Sequence, residues 1–173
     1  GGSINQTDLK KIVELIEKYP NLYILSDEIY KDILYQDKHV SITSFKNMLE
    51  KTIILDGLSK SYAMTGWRLG YGLFPEELTP HVIKLAVNSV SCATAFAQAA
   101  IPAALEGPQD ELILMKKEFQ TRRDLIVKGL NNIPEIYCPT PEGAFYVFPN
   151  ITETGLTSQQ FEQNLLNKYG VAL

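Results

Sequence analysis

The stretch Leu55-Asp56-Gly57-Leu58-Ser59-Lys60-Ser61-Tyr62-Ala63-Met64-Thr65-Gly66-Trp67-Arg68-Leu69-Gly70-Tyr71 decides how the rest of the chain is read. It leaves an apolar strand, Thr52 to Leu55, turns at Gly57, presents a lysine, and returns through Gly66 into a second apolar run, Leu69 to Phe74. Lysine side chains ordinarily lie in water on helix faces. One on a short loop between two buried strands calls for another reason. Gly57, Ser59, Ser61, Ala63, Thr65 and Gly66 crowd around it with small side chains, leaving room for a flat polar molecule against the backbone. Arg68 follows, with a planar fork suited to a phosphate. Taken singly, Lys60 and Arg68 each read as solvated loop cations; taken with their neighbours they read as a ligand site.

Upstream, Leu22 to Leu25 is a short continuous apolar run, which predicts a strand buried on both faces. It ends in Ser26-Asp27-Glu28-Ile29-Tyr30. An Asp at that place has two readings: a cap or turn residue, or a ligand partner, since open α/β sheets bind ligands at the carboxyl ends of their strands. Before it, Thr7-Asp8 predicts a helix N-cap, with Leu9, Ile12, Val13 and Ile16 at helical spacing to Lys18 and Pro20 as the stop. A polar loop runs through Gln36 to His39.

Downstream, Thr79-Pro80 predicts a cap and first turn for a helix to about Val90. Asn88 to Thr94 reads as a break, and Ala95 to Leu105 as a helix kinked at Pro102. Beyond Gly107-Pro108 a long helix is predicted from about Gln109 to Asn131, with Leu112, Met115, Phe119, Ile126 and Leu130 as its core-facing stripe. Ile136 to Cys138 and Ala144 to Phe148 read as paired strands. Thr157-Ser158-Gln159-Gln160 has the capping-box form and opens a helix to Lys168, and Gly170 to Leu173 begins a strand. Strands alternating with helices give the α/β class. The expected division is a portion of a mixed-sheet large domain over 1–108, a linking helix over 109–131, and a partial α+β small domain over 132–173.

Composition narrows the field. The 173 residues are 45% hydrophobic and 21% charged, ordinary for a globular chain. A net charge of −4 without a basic block gives no reason to expect nucleic acid as a partner. No apolar run approaches the ~20 residues of a membrane span, and the start, Gly1-Gly2-Ser3-Ile4, has neither the pattern of a signal peptide nor a Met. Cys92 and Cys138 make no disulfide framework, which fits a reducing, cytoplasmic setting. His39 and His81 are isolated, so no metal site is expected.

The run Ser59 to Tyr71 closely resembles the lysine loop of class I/II aminotransferases, the fold-type I enzymes that use pyridoxal 5'-phosphate. Many positions of different chemical type agree in a fixed order. The family's Asp-x-x-Tyr pattern stands here as Asp27-Glu28-Ile29-Tyr30. Such chemistry needs an amine to hold the cofactor as a Schiff base, an acid facing the pyridine nitrogen, a donor near the phenolic oxygen, and a phosphate cradle. The lysine must lose its charge to act as nucleophile and base. The resemblance implies Lys60 for the amine, Asp27 for the acid, Tyr30 for the donor, and Arg68 with the hydroxyl of Ser59 for the phosphate. One departure is Gly57, where some members carry a Ser that contacts the phosphate. Asn88 to Thr94, with Phe96-Ala97-Gln98, resembles the segment that crosses into the partner's active site, which implies a homodimer. Gly143-Ala144-Phe145-Tyr146 resembles the hairpin that closes near the substrate.

The implied activity moves an amino group between an amino acid and a 2-oxo acid; related lyases and synthases share the loop. The resemblance covers essentially the whole chain but only the second half of the family's catalytic unit, so the chain reads as a C-terminal-half fragment. Gly1 stands just after the family's Asn-Pro-x-Gly motif. The phosphate-cradling loop and the stacking aromatic are expected upstream, and the carboxylate-gripping arginine beyond Leu173. Two rival readings remain open. Leu22 to Glu28 also resembles a Walker B strand, but a P-loop ATPase needs a Gly-rich lead that Ser59-Lys60-Ser61 lacks. A non-catalytic module would bind a partner through an exposed half-sheet.

Overall fold

The strand that delivers the lysine loop, β2 (Thr52–Gly57), is the middle of a three-stranded sheet. The structure is a computed structural model that describes residues 2–36 and 38–172. On one side β2 pairs in parallel with β1 (Ile24–Asp27), so that Asp27 lies beside Leu55. On the other it pairs antiparallel with β3 (Gly70–Leu73), with Gly57 opposite Gly70. The two flanking runs read from the sequence are therefore strands in a mixed sheet, and the loop from Leu58 to Leu69 joins the antiparallel pair.

The helix α1 (Gln6–Glu17) buries Leu9, Val13 and Ile16 in a core shared with Ile42 and Met48, against which Ile24 of β1 packs. Its cap is Asn5, whose side chain accepts from the Asp8 amide at 2.9 Å, rather than Thr7 or Asp8. A Thr inside the first turn gives no cap once an Asn precedes it in extended backbone. β1 is not buried on both faces as its apolar run suggests: Leu25 is 64% exposed, and Asp27 on the same face is exposed too. α1 covers only the Ile24 side.

The helix α2 (Thr79–Ser89) places Pro80 within its first two positions as expected, but Leu78 is the cap and the Thr79 hydroxyl donates back to the Pro75 carbonyl. Pro102 does not kink one helix; it sits near the start of a second. α3 (Ala95–Gln98) ends, and α4 (Ile101–Glu106) begins with the proline in its first turn, where the missing N–H costs nothing. α5 (Asp110–Asn131) matches the predicted long helix. Its inward residues beyond Phe119 are Arg123 and Val127, and Ile126 is exposed. Steps of four, 119 to 123 to 127, follow one helix face; the heptad step to 126 drifts off it.

The strand pair read after Pro134 is not present among the described residues. Tyr137 and Asn150 make a single antiparallel bridge, and Leu34 makes another with Gly143. Residues from the Pro139–Ala144 loop instead join the turn after β1: Tyr35 N–H donates to the Glu142 carbonyl at 2.9 Å and Ala144 N–H to Ile33 at 2.8 Å. A Cβ on Gly143 would lie 2.5 Å from the Leu34 side chain and 2.9 Å from the Ile33 carbonyl, so this approach requires glycine. The helix α6 (Ser158–Tyr169) has the predicted capping box, Thr157 with Gln160. Gly170 ends it in left-handed backbone, Val171 and Ala172 form no strand, and Leu173 lies outside the described residues. Among the described residues no helix is long and apolar enough to cross a membrane.

Arg123 fastens α5 to this junction. Its guanidinium lies 4.5 Å from the centre of the Tyr35 ring and donates to the Pro141 carbonyl at 3.0 Å and to Asp124 at 2.9 Å. The Tyr35 hydroxyl donates to the Ala144 carbonyl. Stacking and one charged hydrogen bond, both out of water, add up to about 2–4 kcal/mol. Arg123→Ala is expected to lower unfolding free energy by about that amount in urea denaturation, and Arg123→Lys to restore less than half of it, because an ammonium cannot lie flat on the ring.

Candidate active site

The lysine loop hangs from a place where the backbone allows no side chain. A Cβ on Gly57 would stand 2.8 Å from the Leu69 carbonyl and 2.9 Å from the Gly70 Cα. Both neighbours are main chain, so neither can swing aside. This accounts for glycine where the resemblance would in some members put a Ser. Past Gly57 the chain buries Leu58 with Leu69 and Ala97, and Tyr62 and Met64 pack on that cluster. The Tyr62 hydroxyl donates to Gln109 at 3.0 Å. Apolar residues thus hold the loop's back, and Lys60 stands on its front. Ala63 (φ 53°) and Arg68 (φ 55°) both take left-handed backbone, a strain that non-glycine residues carry mostly at functional sites.

The Lys60 Nζ lies 5.7 Å from the centre of the Tyr30 ring and 5.6 Å from that of Phe145. Among the described residues it has no hydrogen bond or ion pair. Tyr30 meets Phe145 and Tyr146 edge-on, and its hydroxyl is 2.8 Å from that of Tyr146. Phe119 of α5 backs the Phe145 ring at 5.2 Å. Burial, the Tyr146 hydroxyl and the charge of Asp27 together hold the Tyr30 phenol above its ordinary range, so it keeps its proton. Asp27 ends β1 and accepts from the Ile29 amide at 3.3 Å. Asp27, Tyr30 and Tyr146 line a cleft of about 750 Å³.

Two of the residues singled out in the sequence are not brought to this group. Arg68 is exposed, and its guanidinium donates to its own loop at the Thr65 carbonyl, 3.0 Å away. Ser59 is half-buried and makes no side-chain hydrogen bond among the described residues.

Sequence reading missed a polar network under the loop. The Asp56 carboxylate, on the buried face of β2, accepts from the Tyr71 hydroxyl at 2.6 Å and the Gly57 amide at 2.7 Å, and pairs with Lys31. Lys31 also lies 3.4 Å from Asp32, which accepts from the Ser61 hydroxyl at 3.0 Å. Burial pulls the Lys31 ammonium down, but the Asp56 hydrogen bond and the charges of Asp32, Asp56 and Tyr71 outweigh it and hold it above its usual range. Burial and the bond to Asp56 push the Tyr71 phenol up to about 12. The available signal was Asp56 itself: a carboxylate on the buried side of a central strand requires a partner cation. Glu28 belongs elsewhere, bonded to Ser41 at 2.7 Å, Ser26 at 3.1 Å and His39 at 2.8 Å.

Residues 1–173 match the family described as aminotransferase class I and II. The chain belongs to that family. Among its relatives are an aspartate aminotransferase of Pyrococcus abyssi, 38% identical over 178 residues, and the arginine–pyruvate transaminase AruH of Pseudomonas aeruginosa, 36% identical over 173 residues. Each alignment takes in 100% of this chain but only 45% and 44% of the relative. The crystal structure of the aromatic aminotransferase from Pyrococcus horikoshii OT3 superposes with a TM-score of 0.94 at 36% identity, over 99% of this chain and 46% of that one. This aminotransferase segment therefore has the fold-type I α/β architecture and spans less than half the length of the curated relatives it matches. The family replaces the ATPase reading of Leu22 to Glu28.

Two outcomes test the geometry of the aminotransferase loop. Gly57→Ala is expected to force β3 away from β2 and cost about 1–3 kcal/mol, read as a lower denaturation midpoint. Tyr71 holds its proton more tightly folded than unfolded, so its contribution is complete below pH 10.0 and is lost as pH rises toward about 12. Stability measured across that window is expected to fall, and Tyr71→Phe to flatten the fall.

Proposed function

We propose that the protein of which these residues form part binds pyridoxal 5'-phosphate and moves an amino group between an amino acid and a 2-oxo acid. The observation that carries this reading is the Lys60 amine, unpaired among the described residues, on the family's loop and against the Tyr30 ring. The residues present fit the cofactor: an amine unpaired among the described residues, a carboxylate at a strand's carboxyl end, a protonated phenol, and a cleft of about 750 Å³ lined by that carboxylate and that phenol. When bound, the cofactor supplies an electron sink for the substrate's α-carbon.

The chain's own groups divide the remaining work. Lys60 carries the cofactor and, once neutral, takes a proton from the substrate and returns it. Asp27 keeps a proton on the ring nitrogen by its negative charge. Tyr30 donates its O–H toward the ring oxygen, and its raised pKa keeps that donor available. Arg68 and Ser59 serve the phosphate; Arg68 does so by giving up its bond to the Thr65 carbonyl. Phe145 and Tyr146 pack edge-on against Tyr30, and the Phe145 ring lies 5.6 Å from the Lys60 amine.

The same reading divides the chain into a large-domain portion over 1–108, the α5 link over 109–131 and part of a small domain over 132–173. It takes the Asn88–Thr94 break, where Ser91 adopts φ 63°, as the segment that reaches the partner in a homodimer. The free thiols of Cys92 and Cys138 suit a cytoplasmic enzyme.

Borohydride reduction of the full-length protein with pyridoxal phosphate, followed by peptide mapping, is expected to label Lys60; a label on another lysine overturns the assignment. Asp27→Ala is expected to keep the circular dichroism spectrum and lower turnover by ~10²-fold or more. Near-normal turnover would remove Asp27 from the site.

A further inference from the structure

We infer that Asp56, acting through Lys31 and Tyr71, is a positioning residue that sets Lys60 against Tyr30. The inference rests on the functional reading above for what Lys60 does, but its geometry stands alone. Three segments supply the proposed site: the turn after β1, with Asp27 and Tyr30; the loop after β2, with Lys60; and the return into β3, with Arg68. One carboxylate, on the strand that leads into the lysine loop, reaches the first of these segments through Lys31 and the third through Tyr71. Asp56 stands one residue before the end of β2 and four before the lysine, Lys31 directly follows Tyr30, and Tyr71 lies in β3. The contacts are the Lys31 ion pair and a 2.6 Å bond from Tyr71.

The network also holds the far side of the lysine. Ser61, the next residue, is buried and donates to Asp32 at 3.0 Å, and Asp32 sits 3.4 Å from Lys31. Lys60 is therefore flanked on both sides by residues tied to the turn that carries Tyr30. Its own amine needs no partner for its place to be fixed.

Fold stability alone does not call for this arrangement. The Asp56 side chain is 4% exposed, and an ion pair so placed adds little over apolar packing of the same volume. What it adds is direction, because a carboxylate with three donors admits one arrangement of the segments that bring them. Removing Lys31 leaves a buried charge held only by Tyr71 and the Gly57 amide. Local opening follows there first.

The test uses the full-length protein and two readouts, neither of them turnover. In the cofactor-free form, Lys31→Met is expected to speed hydrogen exchange of amides 57–64 by about tenfold while leaving those of α6 unchanged. In the form loaded with pyridoxal phosphate, the same variant is expected to move the pH midpoint of the visible absorbance by about half a unit or more. Lys31→Arg, whose fork reaches both carboxylates, is expected to restore both. If Lys31→Met does not fold, Lys31→Met/Asp56→Asn leaves no unpaired charge at the buried position 56, with Asp32 a third exposed and still bonded to Ser61, and must still move the midpoint. Exchange that rises equally in α6, an unmoved midpoint, or no restoration by Arg overturns the inference. The borohydride label judges Lys60 separately: a labelled Lys60 with an unmoved midpoint leaves the function and removes the positioning role.

Discussion

A carboxylate on the buried face of a central strand has to find a cation, and the chain around Asp56 is arranged by that need. β2 alternates buried and half-buried positions until Asp56, where the next buried position is charged. Lys31 answers from the parallel neighbour's turn and Tyr71 from the antiparallel neighbour. The sheet register alone would align the strands. The polar contacts go further and align the turns beyond their ends, where the chemistry lies. Gly57 works on the same point from the other direction: main chain approaches so closely that β2 and β3 meet at one distance only.

The aromatic group over Lys60 depends on a second junction, farther along the chain. Phe145 reaches the lysine because residues 33–35 pair with 142–144, and because the Arg123 guanidinium sits over the Tyr35 ring while bonding the Pro141 carbonyl. Ala144 pays the local strain with a φ of 58°. Phe119 then supports Phe145 from α5. A helix distant from the lysine in sequence thereby fixes the ring above it.

Much of this was legible in the residues, for reasons that differ by element. Local chemistry was read correctly where it was unopposed: the capping box at Thr157, the long α5, the strands on either side of the lysine loop. Where two local signals compete, position decides. Asn5 capped α1 ahead of Thr7, and Pro102 began a helix because its ring suits a first turn better than a middle. The Ala144–Phe148 run has strand composition, but Ala144 takes left-handed backbone and gives its N–H to Ile33, and no ladder forms among the described residues. Arg123 escaped notice because a charge within an apolar stripe looks like a register error until Tyr35 is seen beneath it. Tyr30 and Lys60 stood out in a pattern of residues; that the Lys60 amine lies 5.7 Å from the Tyr30 ring did not, and Lys31 and Asp56, whose ion pair ties the two segments together, belong to no such pattern.

The short span of the Asp56 network has a consequence for biogenesis. Lys31 and Asp56 are 25 residues apart, and Tyr71 is 15 beyond Asp56. These loops are shorter than the one that returns Phe145 to Lys60, so closing them costs less chain entropy. Phe145 must wait until α5 has been made and docked. On the ribosome the residues that tie the lysine loop to the turn of Tyr30 are thus made before the ring that lies over Lys60.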